Sequence, residues 1–238
     1  MAAARDLPKL QELKTEVEKM KGQCILVQAD VTLKEDCARI VDAAVKQFGK
    51  IDVLINNAGF SMRALFNDLN VEVLEKLMQV NFFGAVYCTK YALPHILQSK
   101  GSILGISSIA GFRGLPGRTG YSASKFALQG FLESLRTELL KTGVHVMVAC
   151  PGFTGSNIRS TALTADGSAQ GQSPLDEGKI MKPETVADII YKSTLRRKRT
   201  VIMTTQGKLT VFLNKWLPRW MDKMVFRHFA KEENSPLK

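Results

Sequence analysis

The chain has 238 residues, 45% hydrophobic and 23% charged, with 18 Gly and 8 Pro, a composition that excludes collagen-like repeats and wholesale disorder and suits one sizeable domain. No apolar run approaches the ~20 residues that span a bilayer, and Met1–Asp6 leads into no signal-peptide core. The formal net charge of +11 is unevenly placed: from Lys179 onward 14 Lys/Arg stand against 5 Asp/Glu (+9), whereas the first 178 residues carry only +2. The basicity therefore describes a C-terminal surface and not a nucleic-acid channel. Cys24, Cys37, Cys88 and Cys150 lie far apart and form no CxxC pair, which removes support for a metal site or a disulfide framework. They read as reduced, mostly buried thiols of a cytoplasmic protein.

In chain order, Leu7–Met20 reads as a helix with Asp6 as N-cap and Gly22 as its stop. A short apolar run, Cys24–Val27, follows as a buried strand. Thr32 and Glu35 form the pattern of a capping box, opening a helix that runs to Phe48 and ends at Gly49. Ile51–Ile55 is the next strand, with the weak alternation of a strand covered on both faces. Helical stretches cover Val71–Gln79 and Asn81–Gln98, then a strand at Ser102–Ser107. A long helix from Tyr121 to Lys141 stops at Gly143 and leads into a strand at Val144–Cys150. Pro183 fits the first turn of a further helix, and Thr200–Met203 is a last short strand. Strands alternating with helices imply a parallel sheet with helices on both faces. The segment 154–180 is Gly/Ser/Thr-rich and aperiodic, the pattern of a functional loop.

The chemistry concentrates between Ser107 and Lys125. Tyr121 and Lys125 stand four apart on a helix and project from one face. A phenol with an ordinary pKa near ~10 is a poor acid–base catalyst at neutral pH, and an adjacent ammonium is expected to lower it. The glycine-rich link Gly111–Gly120 lets the strand end carrying Ser107 and Ser108 come close. A lone Tyr-x-x-x-Lys is weak evidence, since many helices carry that pair as an exposed aromatic–cation contact.

The surrounding residues supply context. Ser108 lies thirteen residues before Tyr121, Asn56-Asn57-Ala58-Gly59 follows the strand Ile51–Ile55, Asn81 opens the helix after Val80, Asp30-Val31 ends an earlier strand, and Pro151-Gly152 follows Cys150. In order and spacing this pattern resembles the classical short-chain dehydrogenase/reductase family over roughly residues 3–205. Each element alone has a plain structural explanation: a turn at Asn57–Gly59, a strand break at Pro151-Gly152, helix caps at Asn81 and Asp30.

The resemblance implies a doubly wound, Rossmann-like α/β fold and reversible alcohol–carbonyl oxidoreduction with a nicotinamide cofactor. It implies catalytic roles for Asn81, Ser108, Tyr121 and Lys125: Tyr121 passes the proton, Ser108 holds the substrate oxygen, Lys125 lowers the Tyr121 pKa and binds the nicotinamide ribose, and Asn81 holds a water that links Lys125 to solvent. Cofactor contacts would come from Arg5, Asp30, Val31, Asn57, Ala58, Gly59, Tyr121, Lys125, Pro151, Gly152 and Thr154. Arg5 at the end of an Ala-rich strand favours the 2′-phosphate of NADP over NAD. Phe153, Ile158 and Leu163 on the variable loop favour an apolar or lipid-like substrate. The family also implies homo-oligomers built on the helices near Asn81 and Tyr121, and no nucleic-acid partner.

One departure matters. Members of the family begin with a strand and a Thr-Gly-x-x-x-Gly-x-Gly turn that cradles the cofactor pyrophosphate, and none precedes Leu7. By analogy the first βα unit and most of the second strand, roughly 35–40 residues, are expected to be missing ahead of Ala2, through a late start or a truncation. Their deletion would leave a gap inside the sheet with unpaired strand edges, and a chain truly this short is expected to show poor solubility and no tight dinucleotide binding. That departure keeps an inactive scaffold or partner of an intact homologue open as an alternative. An epimerase or dehydratase using the same Tyr and Lys is a further one, disfavoured by the short C-terminal region.

That region, residues 208–238, is set apart from the domain at 1–207. From Leu209 to Val225 apolar residues recur at helical spacing, interrupted by Pro218 and flanked by Lys215, Arg219, Lys223 and Arg227. It reads either as a helix packed on the domain or a second subunit, or as an interfacial helix making peripheral membrane contact. Arg196–Arg199 reads as a solvated charge run.

Overall fold

The computed structural model of the chain describes residues 1–172 and 180–238. Its first element, β1 (Ala2–Ala4), pairs in parallel with β2 (Leu26–Gln28), the two joined through helix α1 (Leu7–Lys19). Asp6 caps α1 by accepting a hydrogen bond from the Lys9 amide, and Pro8 occupies its first turn, where a missing N–H is harmless. Helix α2 (Lys34–Phe48) ends at Gly49 in the left-handed conformation, as its position predicts. Its start differs from expectation. Leu33 takes the N-cap position, and the Thr32 hydroxyl donates to the Asp30 carboxylate at 2.9 Å, so no capping box forms.

A second sheet carries the order β3 (Val53–Asn56), β4 (Ser102–Ile106), β5 (His145–Cys150) and β6 (Thr200–Ile202), all parallel. β2 and β3 do not pair; they belong to separate sheets, as a gap between them implies. In register, Val53 and Ile55 share a face with Leu104, and both are about half exposed on a strand that reads as fully covered.

Helices lie on both faces of the larger sheet. Helices α4 (Gly84–Ser99) and α5 (Thr119–Glu138) cover one side, where Ile96, Leu128 and Leu132 meet Ile103 and Val146. On the other side α6 (Pro183–Leu195) sets Ile189 and Ile190 against Leu104, Met147 and Ala149. Strand β5 is buried along its whole length, its one polar side chain, His145, held by Ser102 Oγ at 3.1 Å and the Lys198 carbonyl at 2.8 Å. Helix α3 (Val71–Met78) flows into α4 through a π turn at Gln79–Phe83. Asn81 thus sits inside a bulged helix and does not open one. Helices α7 (Thr205–Trp216) and α8 (Pro218–Ala230), capped by Thr204 and separated by Leu217, form a C-terminal hairpin. The described part of the loop beyond Thr154 is tied down by short bridges, Leu163 pairing with Met62 and Ala169; the rest of the predicted functional loop, 173–179, lies outside the described residues.

The close approach of α5 to β4 places the chemistry, and Gly105 permits it. A Cβ at Gly105 would stand 2.3 Å from Leu132 Cδ1. We predict that Gly105→Ala lowers the unfolding free energy by about 1–3 kcal/mol through overpacking, measured by urea denaturation. In a Leu132→Ala background the same substitution should lose most of that penalty, because the clashing atom is gone.

Candidate active site

Strand β4 ends at Ile106 and delivers Ser107 and Ser108 to the carboxyl edge of the sheet. Ser108 caps a short turn over Ile109–Gly111, its Oγ accepting the Ala110 amide at 3.2 Å. The chain returns through Arg113–Gly117 to α5, whose first turns carry Tyr121 and Lys125. Of the two serines, Ser107 is buried and held by the Gln129 amide at 2.8 Å. Ser108 is half-buried, and its side chain is the one that acts on the Tyr121 phenol, holding its pKa down.

Lys125 is 4% exposed and donates from Nζ to the Ile106 carbonyl at 2.8 Å, with Nζ 5.7 Å from the centre of the Tyr121 ring. Its ammonium has been taken out of water, and that desolvation pulls its pKa down to about 8. Burial pushes the Tyr121 phenol above its ordinary value, opposed by a hydrogen bond from Ser108. This is the reverse of the lowering expected from Lys125. The ammonium faces the Ile106 carbonyl, and the loss of solvent around the phenol outweighs any help from it. Behind them Cys150 is buried at the end of β5, its thiol pushed up to about 12 by desolvation.

Asn81 joins this group from the π turn. Its Oδ1 accepts the Phe60 amide at 3.0 Å, while Nδ2 donates to Phe60 O at 3.0 Å and to Ser124 Oγ at 2.9 Å. Ser124 in turn donates to the Tyr121 carbonyl at 2.8 Å. Both amide protons are spent inside the protein, so only the second lone pair of Oδ1 could hold a water. Gly59 lies directly over the pair: an added Cβ would be 3.0 Å from Asn81 Oδ1 and 3.5 Å from Lys125 Nζ.

Asn57, Ala58 and Gly59 follow β3, and Pro151, Gly152 and Thr154 follow β5, so both segments leave the same edge of the sheet as Ser108. Gly152 packs on the cap of α7, where a Cβ would meet Thr204 Cγ2 at 2.5 Å, and Thr154 closes a turn onto the Gly152 carbonyl at 3.1 Å. Arg5, Asp30 and Val31 lie beyond the ends of β1 and β2, the strands of the two-stranded sheet. Arg5 is exposed with a guanidinium nitrogen 3.9 Å from the Asp30 carboxylate, and Val31 packs on Gly84 of α4.

Three residues escaped the sequence reading. Gln129 bridges Ser107 Oγ and the Ser108 carbonyl at 2.8 and 3.3 Å, tying the strand end to α5. It lies four residues beyond Lys125, and that spacing on one helix face was the available signal. Ser124 had none, because one of its partners is the backbone of its own helix and the other, Asn81, lies 43 residues away in sequence. Asn56, which donates to Thr89 at 3.0 Å and latches β3 to α4, was visible only as part of the Asn-Asn-Ala-Gly run.

Comparison with known proteins adds to this geometry. Residues 1–166 match the short chain dehydrogenase family. The chain is 32% identical over 237 residues to the mouse "Dehydrogenase/reductase SDR family member 7B", covering 97% of this chain and 73% of that protein. It is 33% identical over 208 residues to the peanut (Arachis hypogaea) "11-beta-hydroxysteroid dehydrogenase A", covering 83% of this chain and 58% of that one. Among solved structures, a Burkholderia phymatum short chain dehydrogenase/reductase in complex with NAD superposes with a TM-score of 0.77 at 21% identity, over 92% of this chain and 84% of that one.

The Asn81 network generates a direct prediction. Asn81→Ala leaves the Phe60 amide and carbonyl without their side-chain partner and should cost about 1–3 kcal/mol of stability. Chemical denaturation of the two proteins measures it.

Proposed function

The chain belongs to the short-chain dehydrogenase family of oxidoreductases, and we propose that it reduces the carbonyl group of an apolar, lipid-like substrate with NADPH. Tyr121 serves as the proton donor. The observation that carries this reading is the convergence of Ser108 and Tyr121, both half-buried, on the buried Lys125 ammonium at the end of β4.

The residues present fit the nicotinamide end of such a cofactor. Gly59 leaves open the space beside Asn81 and Lys125 that a Cβ would fill, next to a buried cation able to hold a ribose hydroxyl. Lys125, Asn57, Ala58, Gly59, Pro151, Gly152 and Thr154 would hold this end, Asp30 and Val31 the adenine, and Arg5 a 2′-phosphate, which supports NADP over NAD. When bound, the cofactor supplies hydride to the carbonyl carbon.

In the reduction, the Ser108 hydroxyl donates to the substrate oxygen and polarises the carbonyl. Tyr121 gives its proton to that oxygen, leaving a phenolate. The ammonium of Lys125, 5.7 Å from the ring centre, is the positive charge that stabilises the phenolate until a proton returns. Asn81, through Ser124 and Phe60, and Gln129, through Ser107 and Ser108, keep the strand end and α5 in register for this exchange.

The apolar character of the substrate is supported by the wall beside Tyr121. Its ring packs with Leu163 against a buried cluster of Met62, Ala64, Leu69, Val73 and Leu77. The name of the peanut relative points to a steroid, a substrate of this class.

The test is NADPH oxidation with a steroid ketone, followed by absorbance. The wild type should turn over, and Tyr121→Phe should lose about 10²–10⁴-fold in kcat with NADPH affinity unchanged. A Tyr121→Phe variant of undiminished activity would overturn the assignment of the proton donor, and an inert wild type would favour the scaffold alternative. With Lys125 titrating at about 8, the reductase rate should fall as pH rises past that value, because the nascent phenolate loses its counter-charge.

A further inference from the structure

The C-terminal hairpin is held to the domain by one face only. Inward, Met221, Val225 and Phe229 of α8 pack with Leu213 on Leu115 of the loop that joins Ser108 to Tyr121. Gly207 of α7 sits against Ile109, where a Cβ would stand 2.7 Å from its Cδ1. Asn214 donates to the Phe112 carbonyl at 3.2 Å, and Asp222 pairs with Arg113. After α8 the chain is clamped by Glu232, 5% exposed, between Arg118 at 2.8 Å and Arg63 at 3.3 Å. The hairpin is therefore rigidly docked, and its outer face is fixed in place.

That outer face is apolar and basic together. Leu209, Phe212 and Trp216 of α7, Leu217 at the elbow, and Trp220 and Met224 of α8 are between 41% and 66% exposed. They recur at helical spacing, so each helix turns a stripe outward. Lys208, Lys215, Arg219, Lys223 and Arg227 are exposed on the same two helices. The single acid between Thr205 and Ala230 is Asp222, already paired with Arg113. Large exposed apolar patches on a folded domain mark a contact surface.

We propose that this hairpin face is a docking surface for an anionic lipid bilayer, with the elbow Trp216–Trp220 entering the headgroup region. The chemistry of the face matches that partner on both counts. Indole rings settle where apolar chains meet wet headgroups, lysine and arginine stems lie along apolar surface with their charges outward, and five cations without a free anion seek a negative surface. A second copy of the chain fits less well, because a two-fold contact would set these cations against one another. Among the described residues no helix is long and apolar enough to cross a membrane, so the contact is one of lying on the surface.

The test uses the full chain with vesicles of phosphatidylcholine alone or with 30% phosphatidylserine, read by co-sedimentation and by quenching of tryptophan fluorescence with brominated lipid. The protein should sediment with the serine-containing vesicles, at least 10-fold less with phosphatidylcholine alone or in 0.5 M NaCl, and its tryptophans should be quenched. The double substitution Trp216→Glu and Trp220→Glu alters exposed positions and should reduce binding at least 10-fold, with the circular dichroism spectrum and the rate on a water-soluble ketone unchanged. Binding unaffected by the double substitution overturns the proposal. So does absence of binding by the wild type, including the case in which sedimentation velocity shows a dimer that the double substitution dissociates. Neither failure touches the reductase reading, whose assay needs no lipid.

Discussion

A lysine whose charge is almost wholly withdrawn from water is the constraint around which this fold is arranged. Lys125 is 4% exposed and holds one hydrogen bond, to the carbonyl of Ile106. Burying an ammonium is costly unless the surroundings are exact, so the end of β4 and the second turn of α5 must meet in one way only. The bare Gly105 under Leu132 lets the helix come close enough, and Gly59 leaves room above the ammonium. The same desolvation brings the lysine's pKa down to about 8 and the neighbouring phenol's up, poising one group to lose its charge and the other to keep its proton.

Around that contact two amide side chains perform matching tasks from opposite directions. Asn81 reaches in from the π turn and fixes Phe60 and Ser124, and thereby the first turns of α5 against the loop after β3. Gln129 reaches out from α5 and fixes Ser107 and Ser108 at the end of β4. Neither needs to touch a substrate to matter. The C-terminal hairpin adds a third restraint, since Leu115, Phe112 and Arg113 in the intervening loop are all gripped by α7 and α8. Site, loop and outer apolar face are thus mechanically continuous.

Much of this is legible in the sequence, for reasons that differ residue by residue. Asp6, Gly49 and Pro183 act through their own backbone preferences, so helix ends could be read from them directly. The strand at Val144–Cys150 could be read from its apolar residues and the Gly143 stop before it, and β5 is buried throughout. The capping box at Thr32 and Glu35 failed because Asp30, two residues away, competes for the same hydroxyl, a contest among neighbours that a spacing pattern does not weigh. Asn81 looked like a helix start because a π turn inserts one residue and shifts the helical phase, which resembles two helices meeting. The Tyr121 shift was misjudged in sign, since adjacency on a helix reveals a neighbouring charge but not how much solvent the fold removes. The exposed Val53 and Ile55 likewise became visible only when the strands were seen to fall into two sheets.

A charge that is paired and solvated behaves in the ordinary way, whereas one held as described here does not, so the lysine itself reports on the account. Titration of the Lys125 side chain by carbon-13 NMR, its resonance assigned by comparison with Lys125→Met, measures the state directly. The account predicts a midpoint near 8. A midpoint at the ordinary lysine value near 10.5 would contradict it, for it would mean that the ammonium is not desolvated and that β4 and α5 do not meet as described.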